Sequence, residues 1–242
     1  MQMPQAFFLD FYGTVAYEDD EIIRELSQRV QQAGNGAPVE EIRRFWYETF
    51  HACCRRAHGA ALQTQRSIEL QTLEATLRRF AAPLDAGALC QILFAQWVRP
   101  QLFADTRPFF DACPAPIYIV SNIDQADIQQ AIAFHKLKPA GVFTSEQARS
   151  YKPRPELFML AMRATGLRPE HILHVGDSRL NDVAGARAAG LDAVWINRAG
   201  LAAPDPTIRS VRTLTELLSP GVPGGAAADA LHAAGTDLTV CP

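Results

Sequence analysis

No stretch of this 242-residue chain approaches the ~20 consecutive apolar residues that a membrane-spanning helix needs, so no membrane partner is expected. Basic residues do not dominate either. Lys and Arg number 23 against 26 Asp and Glu, and a net charge of −3 argues against nucleic acid as a bulk partner. Cysteine is sparse: its five copies are odd in number and form no metal-like spacing, which predicts reduced thiols rather than a disulfide framework. Adjacent Cys53 and Cys54 read as packing residues on a helix. Met1 to Gln5 carry no basic cluster and the apolar run after them is too short for a secretion leader, so a cytoplasmic location is expected. No internal repeat is visible. What the chain has in quantity is apolar residues, 48%, enough for one large core or for a core domain with a smaller companion.

The stretch Ala6-Phe7-Phe8-Leu9-Asp10-Phe11-Tyr12-Gly13-Thr14-Val15 organises the rest. Four apolar residues read as a short strand buried on both faces, as in a parallel sheet, and Asp10 follows at its carboxyl end, where open α/β sheets place ligands. From Glu21 to about Trp97 the periodicity is helical. Ile22, Ile23, Leu26 and Val30 form one stripe, Pro38 opens a second helix, and 68–80 and 86–98 read as two more. Beyond it strand and helix alternate: strands at 116–120, 141–144, 172–176 and 192–196, helices at 126–134, 155–165 and 182–189, and a last short helix at 210–218. The expected architecture is therefore an α/β, Rossmann-like, doubly wound parallel sheet. Residues 1–15 and 103–218 form its core domain, with a helical domain inserted at 16–102. The Gly, Ala and Pro-rich tail from 219 to 242 is expected to be loosely ordered or docked.

Asp10, Ser121, Lys152 and Asp177 each fall just past a strand or on a loop before a helix, with Asp182 five residues beyond Asp177. On a parallel sheet those ends share one rim, so the five side chains converge. A carboxylate pair, a lysine and a hydroxyl suit a divalent cation and an anionic substrate. Hard oxygen ligands favour Mg²⁺, and Lys152 would keep Asp10 ionised as a nucleophile requires.

Asp10-Phe11-Tyr12-Gly13-Thr14, Ser121-Asn122, Lys152-Pro153 and Gly176-Asp177-Ser178 with Asn181-Asp182 occur in the order that resembles the haloacid dehalogenase (HAD) superfamily, and the inserted helices resemble its small helical cap. The resemblance implies that Asp10 attacks substrate to form a covalent aspartyl intermediate. It implies that Thr14, Ser121, Asn122 and Lys152 hold the transferring group. Asp10, the Tyr12 main-chain carbonyl, Asp177 and Asp182 would hold Mg²⁺. Family phosphatases carry a second aspartate where this chain has Tyr12. A phenol with a pKa of ~10 is a poor base at neutral pH, so Glu18 or Asp19 becomes a candidate replacement.

Tyr12 is what the superfamily's 2-haloacid dehalogenases have, and their halide expulsion needs neither acid nor metal. Yet Asp177 stands where they resemble one another in having serine, Trp46-Tyr47 stands in place of a Trp-Arg pair, and Phe158 in place of a tyrosine. Arg43 or Arg44 is the candidate substitute for the missing arginine. Lysine is the scarcest cation, present only at 136, 138 and 152, and its absence from the cap excludes the branch that forms a Schiff base there. The expectation is an Mg²⁺-dependent phosphatase of a small phosphorylated metabolite, monomeric or homodimeric. The alternatives are a 2-haloacid dehalogenase-like hydrolase, or a catalytically weakened fold acting as a binding module.

Overall fold

A computed structural model describes residues 3–202 and 205–218. The tail expectation for 219–242 lies outside them. Six strands form one parallel sheet in the order β3-β2-β1-β4-β5-β6: β1 (Ala6–Leu9), β2 (Ile117–Ser121), β3 (Gly141–Thr144), β4 (Ile172–Gly176), β5 (Asp192–Ile196) and β6 (Ser210–Val211). This is the doubly wound α/β order that the alternating pattern predicts. All four residues of β1 are buried, and alternation sends them to opposite faces. Phe7 and Leu9 join Ile119 and Val175 in one apolar cluster, while Phe8 joins Val120, Phe158 and Trp195 in another. Each buried Phe or Leu contributes roughly 1.5–3 kcal/mol. A single charged substitution in β1 would therefore have no solvated face to turn to.

Four helices separate β1 from β2: α1 (Asp20–Ala33), α2 (Val39–Arg56), α3 (Gln65–Arg79) and α4 (Ala86–Val98). The chain leaves and re-enters the sheet layer side by side. Ala16 bridges Leu102 in antiparallel fashion, and the Tyr17 N–H donates to the Gln101 carbonyl at 2.8 Å. Leu26, Trp46, Leu73, Leu93 and Trp97 of the helices belong to the same apolar cluster as Phe7 and Leu9.

Four further helices follow: α5 (Thr106–Ala112), α6 (Gln125–His135), α7 (Ser145–Ala148) and α8 (Glu156–Thr165). The first turn of α6 holds the start of α3. The Asp124 carboxylate accepts from the Gln65 and Arg66 amides at 2.7 and 3.0 Å, and Asp127 takes a bidentate bond from the Arg66 guanidinium at 2.6 and 2.8 Å. One aspartate thus satisfies two orphan amides of a helix far away in sequence.

Two sequence expectations are corrected. The helix expected at 182–189 is instead a π-helical turn, Arg179–Ala184, running into α9 (Gly185–Ala188). Asp182 lies so close to Gly176 that a Cβ there would sit 2.1 Å from its Cγ, and the wide turn aims that carboxylate inward. At 210–218 the chain first pairs as β6 along β5 and only then turns through a 3₁₀ segment, Leu214–Leu218, whose first amide is held by Asp105. Helix α5, with Pro108 in its first turn, has no counterpart in the sequence reading.

Candidate active site

The carboxyl ends of β1, β2 and β4 meet where strand order reverses, and the predicted residues gather there. Asp10, 7% exposed, accepts from Lys152 Nζ at 2.7 Å and from Ser121 Oγ at 2.9 Å. Lys152 Nζ also donates to Asp182 Oδ1 at 2.6 Å and to the Val120 carbonyl at 3.0 Å, so its three protons are all engaged. Oxygens of Asp10, Asp177 and Asp182 lie within 4.8 Å of one another. The loop that brings Asp10 to Asp177 needs Gly13, whose φ is +79° and whose missing Cβ would stand 2.4 Å from Asp177 Cγ.

Charge in this cluster is unbalanced. Burial raises the Asp10 carboxyl, with Asp182 adding to the rise and Lys152 and Ser121 opposing it. Burial opposes ionisation of Asp182 too, but Lys152 and His174 outweigh it and hold that carboxyl well below its ordinary range. Burial also works against the Lys152 ammonium, yet its two carboxylate partners keep it firmly protonated. Asp177 feels Lys152 only weakly. Burial first, then Asp182, Asp10 and Glu18, push it well above the ordinary carboxylate value. Lys152 thus divides its charge between Asp10 and Asp182.

The remaining predicted residues divide. Asn122 lines the cavity, and its amide clasps the Lys152 backbone, accepting from the N–H at 2.7 Å and donating to the carbonyl at 3.2 Å. Tyr12 lines the cavity as well, but its hydroxyl donates to the Trp97 carbonyl at 2.6 Å, and burial with Asp127, Asp19 and Asp10 raises the phenol well above its ordinary value. Thr14 is fully buried, away from the cavity lining, and its hydroxyl has no hydrogen-bond partner among the described residues.

A cavity of about 600 Å³ opens over Asp10, between the sheet rim and α1 to α4. Its volume suits a small metabolite. Glu18 lies in its wall. Water reaches Glu18 through the mouth, yet surrounding protein, then Asp20, Asp19, Asp10 and Asp182, raises its carboxyl to about 7. Asp19 is held differently, accepting the Trp97 indole N–H at 2.7 Å. Arg43 and Arg44 line the same space, with Arg43 paired to Glu40 at 3.1 Å and to Asp20 at 3.5 Å. Phe158, by contrast, is fully buried under the site with its ring edge-on to His174.

Sequence reasoning missed three contributors. His174, 3.0 Å from Asp182, was signalled by one polar residue inside an apolar strand. Arg198 binds the Thr14 carbonyl and Asp105 and stacks 3.6 Å over Phe103, bracing the loop after Asp10, with no local signal. Glu69, a buried acid of α3 in the cavity wall, had no signal either.

A family model described as haloacid dehalogenase-like hydrolase matches residues 4–190. Haloacetate dehalogenase H-2 of a Moraxella species is 25% identical over 232 residues, covering 90% of this chain and all of that protein. A phosphoserine phosphatase of Thermus thermophilus is 51% identical over 55 residues, and this match spans 23% of this chain and 22% of that enzyme. The L-2-haloacid dehalogenase of Xanthobacter autotrophicus superposes with a TM-score of 0.70 at 20% identity, over 89% of this chain and 97% of that one. A family match over most of the sequence thus covers the aspartate, lysine and hydroxyl cluster at one sheet rim, and the chain belongs to the haloacid dehalogenase-like hydrolases.

Proposed function

We propose that the protein is an Mg²⁺-dependent phosphatase of a small phosphorylated metabolite. The observation that carries this reading is the charge count at the rim: three carboxylates within 4.8 Å share one lysine. Among the described residues no donor hydrogen-bonds the Asp177 carboxylate, and with all three carboxylates ionised the surplus over Lys152 would be two negative charges, which a divalent cation would match. Asp10, Asp177, Asp182 and the Tyr12 carbonyl would hold the ion, which when bound would offset that surplus and the charge of the substrate's phosphoryl oxygens. The helical insertion, 16–102, acts as the lid over Asp10.

An Asp10 oxygen attacks phosphorus, the P–O bond to the leaving alcohol breaks, and an aspartyl phosphate forms. Lys152 and Ser121 orient Asp10 and, with Thr14 and Asn122 supporting the loop and the lysine, steady the anionic centre. Glu18, a carboxyl that titrates near neutrality in the cavity wall, gives its proton to the leaving oxygen. It then takes one from the water that hydrolyses the intermediate, releasing inorganic phosphate and restoring Asp10. This assigns to Glu18 the work Tyr12 is unsuited to, its hydroxyl being held by Trp97.

Halide displacement from a 2-haloacid is the second reading, favoured by Tyr12 and by the full-length likeness to the Moraxella enzyme. Against it stand Asp177, the paired state of Arg43 and the burial of Phe158. Phosphate release from p-nitrophenyl phosphate, with and without Mg²⁺, tests the proposal. Turnover that needs Mg²⁺ and vanishes in Asp10→Asn is expected. Halide release from 2-chloropropionate without metal, and no phosphate release, would overturn it. Silence in both assays would favour the binding-module alternative.

A further inference from the structure

Two acceptors in the cavity wall have nothing to accept from. Glu69 is 5% exposed, and its Oε1 has no hydrogen-bond partner among the described residues. The same is true of Gln65 Oε1. The two residues stand one turn apart on α3, hence on one face of it, and both line the cavity that contains Asp10. Trp46 and Phe50 of α2 line it beside them. Unsatisfied buried acceptors of this kind are costly, so a pair of them facing one ligand cavity asks for a donor.

We propose that Gln65 and Glu69 form a subsite for a protonated amine, so that the substrate is a phosphate ester whose far end carries an alkylammonium. The inference rests on the phosphatase reading for the phosphate end only. An ammonium is favoured over a hydroxyl by what surrounds the pair. Asp19, Cys54 of α2 and Cys90 of α4 are the ionisable groups electrostatically coupled to Glu69, and none of them is a cation. Arg43, Arg44 and Lys152 line the same cavity, but the carboxylates there, Glu18, Asp19 and Asp20 among them, outnumber these cations, and the Trp46 and Phe50 rings offer faces to a cation. Burial, then Asp19, raises the Glu69 carboxyl to about 8, opposed by a side-chain hydrogen bond from Trp46, which leaves Oε1 as the unpartnered oxygen. In the free protein it is thus a neutral acid near pH 7, and binding an ammonium would release its proton.

The test compares short ω-aminoalkylphosphonates of stepwise increasing length with their methyl-ended and hydroxyl-ended isosteres. Each serves as an inhibitor of p-nitrophenyl phosphate hydrolysis and as a calorimetric ligand, in the presence of Mg²⁺. The best-fitting ammonium member should bind about ten- to a hundredfold more tightly than its methyl-ended isostere. Glu69→Gln, which keeps the shape of the neutral acid, should bring the two within about threefold. Calorimetry in buffers of different ionisation enthalpy should register proton release in the wild type and none in the variant. Equal binding of ammonium and methyl-ended ligands, a preference for the hydroxyl-ended one, or a preference that survives in Glu69→Gln would overturn the subsite. A protein that hydrolyses no p-nitrophenyl phosphate with Mg²⁺ would overturn the phosphatase reading alone, since alkylamines without phosphonate still report on Glu69.

Discussion

Replacing Glu69 by Gln should make the protein more stable, and more so as pH rises. The carboxyl is buried in the helical layer with an ordinary value of 4.5 in the unfolded chain and about 8 in the folded one. Because the folded state holds this proton more tightly, the stability linked to it is complete below 4.5. It is lost as pH climbs through about 8. Linkage puts that loss at roughly 0.8 kcal/mol by pH 5 and roughly 3.3 kcal/mol by pH 7. Glutamine has no proton to lose, so the variant escapes the penalty while filling the same space. Relative to wild type it should gain about 2.5 kcal/mol between pH 5 and pH 7, or about 5–10 °C in Tm for a chain of this size. Cys54 and Cys90 remain protonated thiols throughout, since burial raises both, Cys90 to about 12. Paired melts or urea titrations at the two pH values read the difference. Parallel pH profiles for the two proteins would show that Glu69 is solvated or paired, and the reasoning about a neutral acid in the cavity wall would fall with it.

Glu18→Gln should lower turnover of an alkyl phosphate by ~10²–10⁴-fold and barely affect p-nitrophenyl phosphate, whose leaving group needs no proton. In the wild type, kcat/KM for the alkyl ester should fall as pH rises through about 7, where Glu18 gives up its proton, and no such limb should appear in the variant. Asp177→Asn should weaken Mg²⁺ binding at least ~10-fold by titration, yet melt no lower than wild type without the ion, because it removes a carboxylate repelled by Asp182, Asp10 and Glu18. Gly13→Ala should fold but lose about a hundredfold or more of Mg²⁺-dependent turnover, since the added methyl needs the space of Asp177 at a φ of +79°. Wild-type-like Mg²⁺ titration of that variant would disprove the tight approach.

Buried parallel strands are legible because each is a short apolar run bounded by turn residues, and β1 to β5 fall where the runs fall, β2 one residue later than expected. Their carboxyl ends then fix Asp10, Ser121 and Asp177 without any tertiary information. Other features depend on contacts between distant segments. Local propensity makes 182–189 an α-helix, and only the approach of Asp182 to Gly176 reveals the π-turn that turns the carboxylate inward. On α3, Glu69 and Glu74 look alike in sequence. One is buried in the cavity wall and the other is exposed, a difference set by how α2 and α4 flank the helix. Thr14 shows the opposite pattern. Its motif position predicts a substrate contact, but the loop that Arg198 braces turns its hydroxyl into the protein.

The division of Lys152 between two carboxylates bears on which of the two chemistries the rim is built for. Expelling halide without a metal requires an ionised Asp10, and a lysine devoted to it would supply the stabilisation. Here the ammonium sits 2.7 Å from Asp10 and 2.6 Å from Asp182. Asp182, further supported by His174 and the Ser178 amide, stays ionised while Asp10 is raised. Left to itself the cluster disfavours the ionised form of Asp10. A second cation between Asp10 and Asp177 would reverse that, lowering both carboxyls together. Tyr12 alone points toward dehalogenation, but it is a single group whose hydroxyl is already engaged by Trp97. The surplus of negative charge involves every carboxylate at the rim, and it is better matched to a dianionic phosphate ester brought in with a divalent ion than to a carbon–halogen bond.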